Sequence, residues 1–115
     1  MRVISHKKII EFSEKFPDSK DWLHNWYSII SKTEFKSFTD LRKTFPSADI
    51  VDKFTVFNVK GNHYRLITAI HYNTKTVYIR NILTHSEYDK NKWRNDWWKQ
   101  QLSKRYIRHG LPFLS

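Results

Sequence analysis

The sequence predicts an α+β fold in which two N-terminal helices pack on a small antiparallel β-sheet, followed by a helical C-terminal tail. Apolar residues recur at helical spacing in the first third of the chain. From about residue 54 the period changes to two, and β-branched and aromatic residues dominate. The length of 115 residues fits a single domain over residues 1–115, in which about 95–115 form a basic, Trp-containing extension.

The N-terminal third is expected to contain a short strand and two helices. Residues 1–4 have the composition of a strand, and Ser5 is placed to cap a first helix that ends before Pro17. Asp18 or Ser19 can cap the second helix. The apolar positions that define the two helices are expected in the core: Ile9, Phe12, Phe16, Trp22, Leu23, Trp26, Ile29 and Ile30.

The middle of the chain predicts a helical turn and then a β-meander. A short helix over residues 38–43 is ended by the pair Phe45 and Pro46. Tight turns are expected at Gly61-Asn62 and at Asn73-Thr74. They would join three antiparallel strands, over residues 54–59, 63–72 and 76–83.

Two-residue loops at both turns fix a register for this meander. Asn58 would lie opposite Arg65, Ile67 opposite Arg80, and Arg65 opposite Ile82. One face is then mostly apolar and packs on the helices, while the other collects cations and stays open. Arg65 and Arg80 would point into the same space, where an anion relieves their repulsion. A three-residue second loop would put the two arginines on opposite faces and remove this indication of a phosphate site.

The segment after the third strand carries titratable side chains. Ser86 is expected to cap a third helix, with Asp89 at its third position. His85 and Tyr88 are three residues apart and would share one side of it. The tail beyond holds Trp93, Trp97 and Trp98, which can dock on the sheet edge or stack on a base or a partner.

Charge is the most informative feature of the composition. The net charge is +10, and residues 58–115 contain 11 basic but only 3 acidic side chains. Such an excess favours a polyanionic partner, because neutralising phosphates releases counterions. A merely soluble basic surface is the simpler alternative, and an anionic membrane is less favoured because no helix has a clean Lys/Arg face.

Several classes of protein and site are excluded by the sequence. Cysteine is absent, which excludes disulfides, thiolate metal sites and a Cys nucleophile. The six His residues show no zinc-binding spacing, and acidic residues are scarce in the basic half, so no metal or other cofactor is expected. No apolar run is long enough for a signal peptide or a membrane span, and we expect a cytoplasmic protein.

The residues permit cleavage of RNA. RNA supplies its own nucleophile, the 2′-hydroxyl, so the protein needs only a base, an acid and cations for the crowded phosphate. Imidazole suits the proton-transfer role because its ordinary pKa is near 6.5. The residues that could supply this chemistry are Lys60, Arg65, Arg80, His85 and Tyr88.

Three segments together resemble the HigB family of bacterial type II toxins, within the RelE-like superfamily. They are VFNVKGNHYRL at residues 56–66, VYIR at 77–80 and THSEYDK at 84–90. The resemblance implies a RelE-like fold and an mRNA interferase that cuts translated mRNA on the ribosome without a metal. It also implies a HigA-type helix-turn-helix antitoxin and an oligomeric toxin–antitoxin complex.

By motif position, the resemblance implies a catalytic set. Lys60, Arg65 and Arg80 would hold and stabilise the scissile phosphate, while His85 and Tyr88 would act as acid–base or orienting groups. RNA contacts are expected from neighbouring polar side chains: Asn58, Asn62, His63, Lys90, Lys92 and Arg94. Two other functions stay open, a non-catalytic RNA- or ribosome-binding module using the same face, and a structural subunit whose basic face docks an acidic protein.

Overall fold

A computed structural model describes residues 1–91 and Trp93. It contains a five-stranded sheet with the strand order β1-β5-β4-β3-β2, and helices packed against it. The strands are β1 (Arg2–Ile4), β2 (Asp49–Val51), β3 (Phe54–Val59), β4 (Tyr64–His71) and β5 (Thr76–Thr84). The helices are α1 (His6–Lys15), α2 (Lys20–Lys32), α3 (Phe38–Thr44) and α4 (His85–Asp89). The α+β fold class is therefore confirmed.

The sheet is mixed, which corrects the prediction of a purely antiparallel one. β2, β3, β4 and β5 pair antiparallel, whereas β1 pairs parallel with β5. The parallel pair requires the chain to return after three helices and three other strands, so it is a long-range contact that local periodicity does not encode. β2 was not predicted, because its three residues are too few to show alternation.

α1 and α2 begin where the sequence predicts, but the predicted capping hydrogen bonds are not formed. Ser5 and Ser19 stand at the N-cap positions of α1 and α2, but neither side chain makes a capping hydrogen bond. Ser5 has a left-handed backbone (φ 74°), and the Ser19 hydroxyl instead donates to the Phe16 carbonyl at 2.7 Å. α3 is capped by Ser37, whose oxygen accepts from the Asp40 amide.

The main core lies between α1, α2, α3 and one face of the sheet. Its largest fully buried side chains include Trp26, from α2, and Phe57, from β3, whose rings meet edge to face at 5.4 Å. The helical stripe predicted from the sequence is thus a core stripe. None of the helices in the described residues is long and apolar enough to cross a membrane.

The second face of the sheet is partly covered, which corrects the prediction of an open cationic face. Phe54, Val56, Ile67 and Trp93 form a second buried apolar cluster there. Trp93 docks on this face and not on the sheet edge, because the branched side chains of β3 and β4 leave an apolar surface that water would otherwise contact. Residues 94–115, including the predicted helical tail, lie outside the described residues.

A β-bulge in β5 changes the predicted register. Asn58 lies opposite Arg65 as predicted, and Thr68 opposite Ile79 agrees with the two-residue second turn. Between Thr68 and Ile67 the register shifts by one residue. The predicted pairs of Ile67 with Arg80 and of Arg65 with Ile82 are therefore wrong.

The bulge exchanges the faces of the last residues of β5. Asn81 lies opposite Ile67, and Leu83 lies opposite Arg65. Ile82 packs against the main core, whereas Leu83 packs against the second apolar cluster, the reverse of the predicted arrangement. An extra residue on one strand inverts the alternation for every residue after it.

Candidate functional site

Arg65 lies at one end of the sheet, where the β3–β4 turn, the end of β5 and α4 meet. Its side chain faces the second surface of the sheet, and the residue is only 9% exposed. The guanidinium donates to the Tyr64 carbonyl at 3.1 Å and to the Asn62 side-chain oxygen at 3.4 Å. Both acceptors are neutral, so the charge of Arg65 is held but not compensated by them.

The bulge in β5 brings His85 to Arg65. With Leu83 opposite Arg65, the diagonal positions are Asn81 and His85, whereas the predicted register would have given Arg80 and Thr84. The His85 amide extends the pairing by donating to the His63 carbonyl at 3.1 Å. Nη2 of Arg65 then lies 3.4 Å from Nδ1 of His85.

A capping box begins α4 at Thr84 and not at Ser86. The Thr84 hydroxyl accepts from the Glu87 amide at 3.3 Å, and the Glu87 carboxylate accepts from the Thr84 amide at 2.9 Å. The predicted cap of Ser86 with Asp89 is therefore wrong, because the β-branched Thr84 already has the extended backbone of a cap. Asp89 is consequently available to His85, whose Nε2 lies 3.1 Å from its carboxylate.

The two ring nitrogens of His85 face different partners. Nδ1 lies against the guanidinium of Arg65, which can only donate. Nε2 lies against the carboxylate of Asp89, which accepts a hydrogen bond when it is ionised. Both contacts are satisfied by the tautomer in which Nδ1 accepts and Nε2 carries the proton.

Tyr88 completes the cluster one turn along α4. Its ring centroid lies 5.3 Å from the guanidinium carbon of Arg65, a cation–π contact. Asn62, Arg65, His85, Tyr88 and Asp89 are hereafter the Arg65 cluster. No carboxylate of the described residues forms an ion pair with Arg65, and a nearly buried cation of this kind favours an anion beside it.

Lys60 and His63 belong to a separate cluster. Asp18, in the 3₁₀ turn between α1 and α2, lies 3.9 Å from Nζ of Lys60 and 3.9 Å from Nδ1 of His63. The Tyr64 hydroxyl donates to Asp18 at 2.6 Å. That hydrogen bond lowers the pKa of Asp18 and raises the pKa of Tyr64. Asp18, Lys60, His63 and Tyr64 are hereafter the Asp18 cluster.

Arg80 lies against α1. Nζ of Lys8 donates to the Arg80 carbonyl at 2.9 Å, and the two residues line a cleft of about 300 Å³ with Glu11 and Lys15. Burial, together with the charge of Arg80, lowers the pKa of Lys8, and burial lowers the pKa of Arg80. The diagonal pairing predicted for Arg65 and Arg80 is wrong, because the register shift gives the diagonal position to Asn81.

The predicted RNA-contacting residues are spread around this end of the sheet. Asn58 lies opposite Arg65 and, with Asn62, lines a cleft of about 450 Å³ between α2 and the β3–β4 turn. Lys90 is exposed immediately after α4. Lys92 and Arg94 lie outside the described residues.

Sequence reasoning missed two acidic residues of these clusters. Asp89 could have been found, because it stands four residues after His85 on a predicted helix. Asp18 was considered only as a helix cap, and its contacts to Lys60 and Tyr64 span more than 40 residues of sequence.

Comparisons with known proteins agree on one family. A model of the HigB toxin family, described as the RelE-like toxic component of a toxin–antitoxin system, matches residues 19–91. The mRNA interferase toxin HigB of Escherichia coli K12 is 37% identical over 92 residues, which cover 77% of this chain and 88% of that protein. The mRNA interferase HigB of Shigella flexneri matches equally, and that of Escherichia coli O6:H1 is 33% identical over 93 residues, covering 78% and 90%.

Proposed function

We propose that this chain, which belongs to the HigB family of RelE-like toxins, is an mRNA endoribonuclease that acts on the ribosome and uses the Arg65 cluster as its active site. The observation that carries the site assignment is Arg65 itself, a nearly buried cation beside an imidazole and a phenol. A phosphodiester would provide the anionic partner that Arg65 does not have among the described residues.

The proposed reaction is attack of the RNA 2′-oxygen on the adjacent phosphorus. A base takes the 2′-hydroxyl proton, the new O2′–P bond forms, and the P–O5′ bond breaks. The leaving 5′-oxygen receives a proton, so the products are a 2′,3′-cyclic phosphate and a 5′-hydroxyl. Arg65 would donate to the non-bridging oxygens, on which negative charge accumulates in the transition state.

His85 and Tyr88 are the groups of the cluster that can move protons. When Arg65 turns its donors to a phosphate, Nδ1 of His85 loses its present partner and is free to accept a proton. Asp89 would hold the ring and stabilise the imidazolium that forms. The Tyr88 hydroxyl is the second proton carrier of the cluster.

Lys60 and Arg80 are proposed to bind phosphates beside the scissile one. The Lys60 side chain is 48% exposed and its contact with Asp18 is long, so exchanging that carboxylate for a phosphate costs little. Arg80 shares its cleft with Lys8 and Lys15, which together form a cationic surface beside α1. Asn58, Asn62, His63 and Lys90 would line the path of the RNA, and Lys92 and Arg94 are proposed to extend it.

The family membership also supports the proposed partners and location. We infer a HigA-type helix-turn-helix antitoxin, with which the chain forms an oligomeric complex, and a cytoplasmic place of action on translating ribosomes. Co-purification with the product of a neighbouring helix-turn-helix gene tests the antitoxin. A chain that stays alone and remains toxic when that gene is expressed would contradict it.

The active site is tested by Arg65→Lys and Arg65→Ala, with Arg42→Ala as a control that removes the same charge from α3. We expect both Arg65 variants to lose cleavage of ribosome-bound mRNA by at least about a hundredfold. Arg42→Ala should cleave within about twofold of the wild type. Cleavage ends are mapped by primer extension, and melting temperatures confirm that the variants fold. Wild-type cleavage by folded Arg65→Ala would overturn the assignment.

His85→Gln separates the enzyme from a non-catalytic binding module. The amide keeps polarity and approximate size but cannot carry a proton, so ribosome binding should persist while cleavage and growth arrest fall. Equal growth arrest by His85→Gln and the wild type, without mRNA cleavage by either, would favour the binding module. Cleavage of free mRNA at the same rate as ribosome-bound mRNA would contradict ribosome dependence.

A further inference from the structure

Trp93 occupies a position that links the second apolar cluster to the candidate site. It is 3% exposed, and its ring meets that of Phe54 edge to face at 5.8 Å. On its other side the indole stacks on the ring of Tyr88, with centroids 5.3 Å apart and planes inclined by 13°. Trp93 follows the segment that the family model matches, which ends at residue 91.

Tyr88 therefore has one aromatic and one cationic neighbour. The indole stacks on its ring, and the guanidinium of Arg65 lies 5.3 Å from the same ring centroid. The indole nitrogen also donates to the Tyr88 carbonyl at 3.1 Å. Trp93 thus contacts both the ring and the backbone of a residue assigned to the active site.

α4 needs such support because it has only five residues. A helix of this length is unstable alone, so its orientation depends on its ends and its packing. The capping box of Thr84 and Glu87 fixes the beginning of the helix, near His85. The end, near Tyr88, is fixed by Trp93.

We propose that Trp93 is a positioning residue of the active site, which holds Tyr88 against Arg65 and thereby keeps the phenol and the guanidinium aligned for the RNA phosphate. The proposal rests on the proposed function of the Arg65 cluster. Trp93 touches neither substrate nor reacting atoms in this role. Its loss should affect turnover more than binding, because Arg65 keeps its bonds to Asn62 and to the Tyr64 carbonyl.

The test compares Trp93→Leu, which preserves an apolar side chain but removes the stack and the donor, with Trp93→Phe, which preserves the stack. Phe54→Leu is the control, because it weakens the same apolar cluster and leaves in place the indole that stacks on Tyr88. Ribosome-bound mRNA is the substrate, and melting temperature is measured for each variant. Trp93→Leu should lower kcat about tenfold and change KM by less than about twofold.

Rescue by the conservative variant distinguishes positioning from stability. Trp93→Phe should retain kcat within about threefold of the wild type, and Phe54→Leu should do the same at a melting temperature as low as that of Trp93→Leu. Wild-type turnover by Trp93→Leu would overturn the proposal. It would also be overturned if Phe54→Leu and Trp93→Leu lost activity in proportion to their loss of stability.

A failure of the proposed function gives a different pattern. If Arg65→Ala cleaves as well as the wild type, the active-site assignment fails whatever Trp93→Leu does. A direct readout on the free protein is the ring-proton resonance of Tyr88, which the stacked indole should shift upfield. Trp93→Leu should remove that shift and Phe54→Leu should keep it; an unchanged shift in Trp93→Leu would contradict the stacking on which the proposal depends.

Discussion

The Arg65 cluster and the Asp18 cluster lie at the same end of the sheet but differ in the burial and the partners of their cations. Arg65 is 9% exposed and its described contacts are to neutral acceptors and aromatic or imidazole rings. Lys60 is about half exposed and has a carboxylate, Asp18, beside it. Tyr64 and Arg65 are neighbours in sequence, and their side chains lie on opposite faces of β4. A buried cation with no carboxylate as a direct partner favours an anion beside it, whereas an exposed ion pair has little net charge to offer.

Asn62→Asp places a carboxylate beside Arg65, as Asp18 stands beside Lys60. It has the largest expected effect of the substitutions that test the comparison of the two clusters. The new carboxylate would accept from Arg65 in place of the amide oxygen and would compete with the RNA phosphate. We expect cleavage to fall by about tenfold or more while the free energy of unfolding rises by about 1 kcal/mol. The measurements are the cleavage rate and a urea unfolding curve.

Asn73→Asp, in the exposed turn between β4 and β5, is the charge-matched control for that variant. It adds one negative charge at the other end of the sheet and should leave cleavage within about twofold of the wild type. If both substitutions reduce cleavage equally, the effect is one of total charge, and the difference between the two clusters has no functional meaning.

Asp18→Asn removes the carboxylate beside Lys60 and should have a smaller effect than Asn62→Asp. It frees Lys60 and His63 from their carboxylate, so RNA affinity should rise about two- to threefold. The slope of log K against log salt should steepen by up to about 0.7, the value for one further phosphate contact on a single strand. Binding is measured at several salt concentrations with a catalytically inactive His85→Gln background. An unchanged affinity and slope would show that Lys60 does not contact the RNA.

Asp18→Asn should also change how the stability of the protein depends on pH. The pKa of Asp18 is lowered, first by the Tyr64 hydroxyl, relative to an ordinary Asp value of about 3.9. A carboxyl of this kind stabilises the fold above that pH, and the contribution disappears as the pH falls through the lower folded pKa. The difference in melting temperature between the wild type and Asp18→Asn at neutral pH should therefore shrink in acid. A constant difference down to acidic pH would contradict the ionised pair.

The sequence determines the regular parts of this molecule through short-range patterns. The three long strands, the turn residues Gly61 and Asn62, and the opposition of Asn58 and Arg65 follow from alternation and turn chemistry. The bulge in β5 could not be predicted, because no residue type marks it and its cause is the fit between two strands. That single extra residue decides which side chains accompany Arg65.

The candidate site, too, could be predicted only in part. Arg65, His85 and Tyr88 were expected near one another and lie together, although His85 reaches Arg65 through a register that the sequence did not indicate. Lys60 and Arg80 were expected in the same space, and their described contacts are to Asp18 and to α1. The positions of Lys60 and Arg80 depend on how the 3₁₀ turn and α1 pack in the fold. Composition and spacing do not encode these long-range contacts.

The central claim is that the guanidinium of Arg65 receives an RNA phosphate. It is tested most directly by following the arginine side-chain NH resonances of the protein while an mRNA oligonucleotide with 2′-deoxy substitution, which cannot be cleaved, is added. The account predicts a saturable shift of the Arg65 resonance and none at Arg42. Saturable binding of the oligonucleotide with an unchanged Arg65 resonance would contradict it.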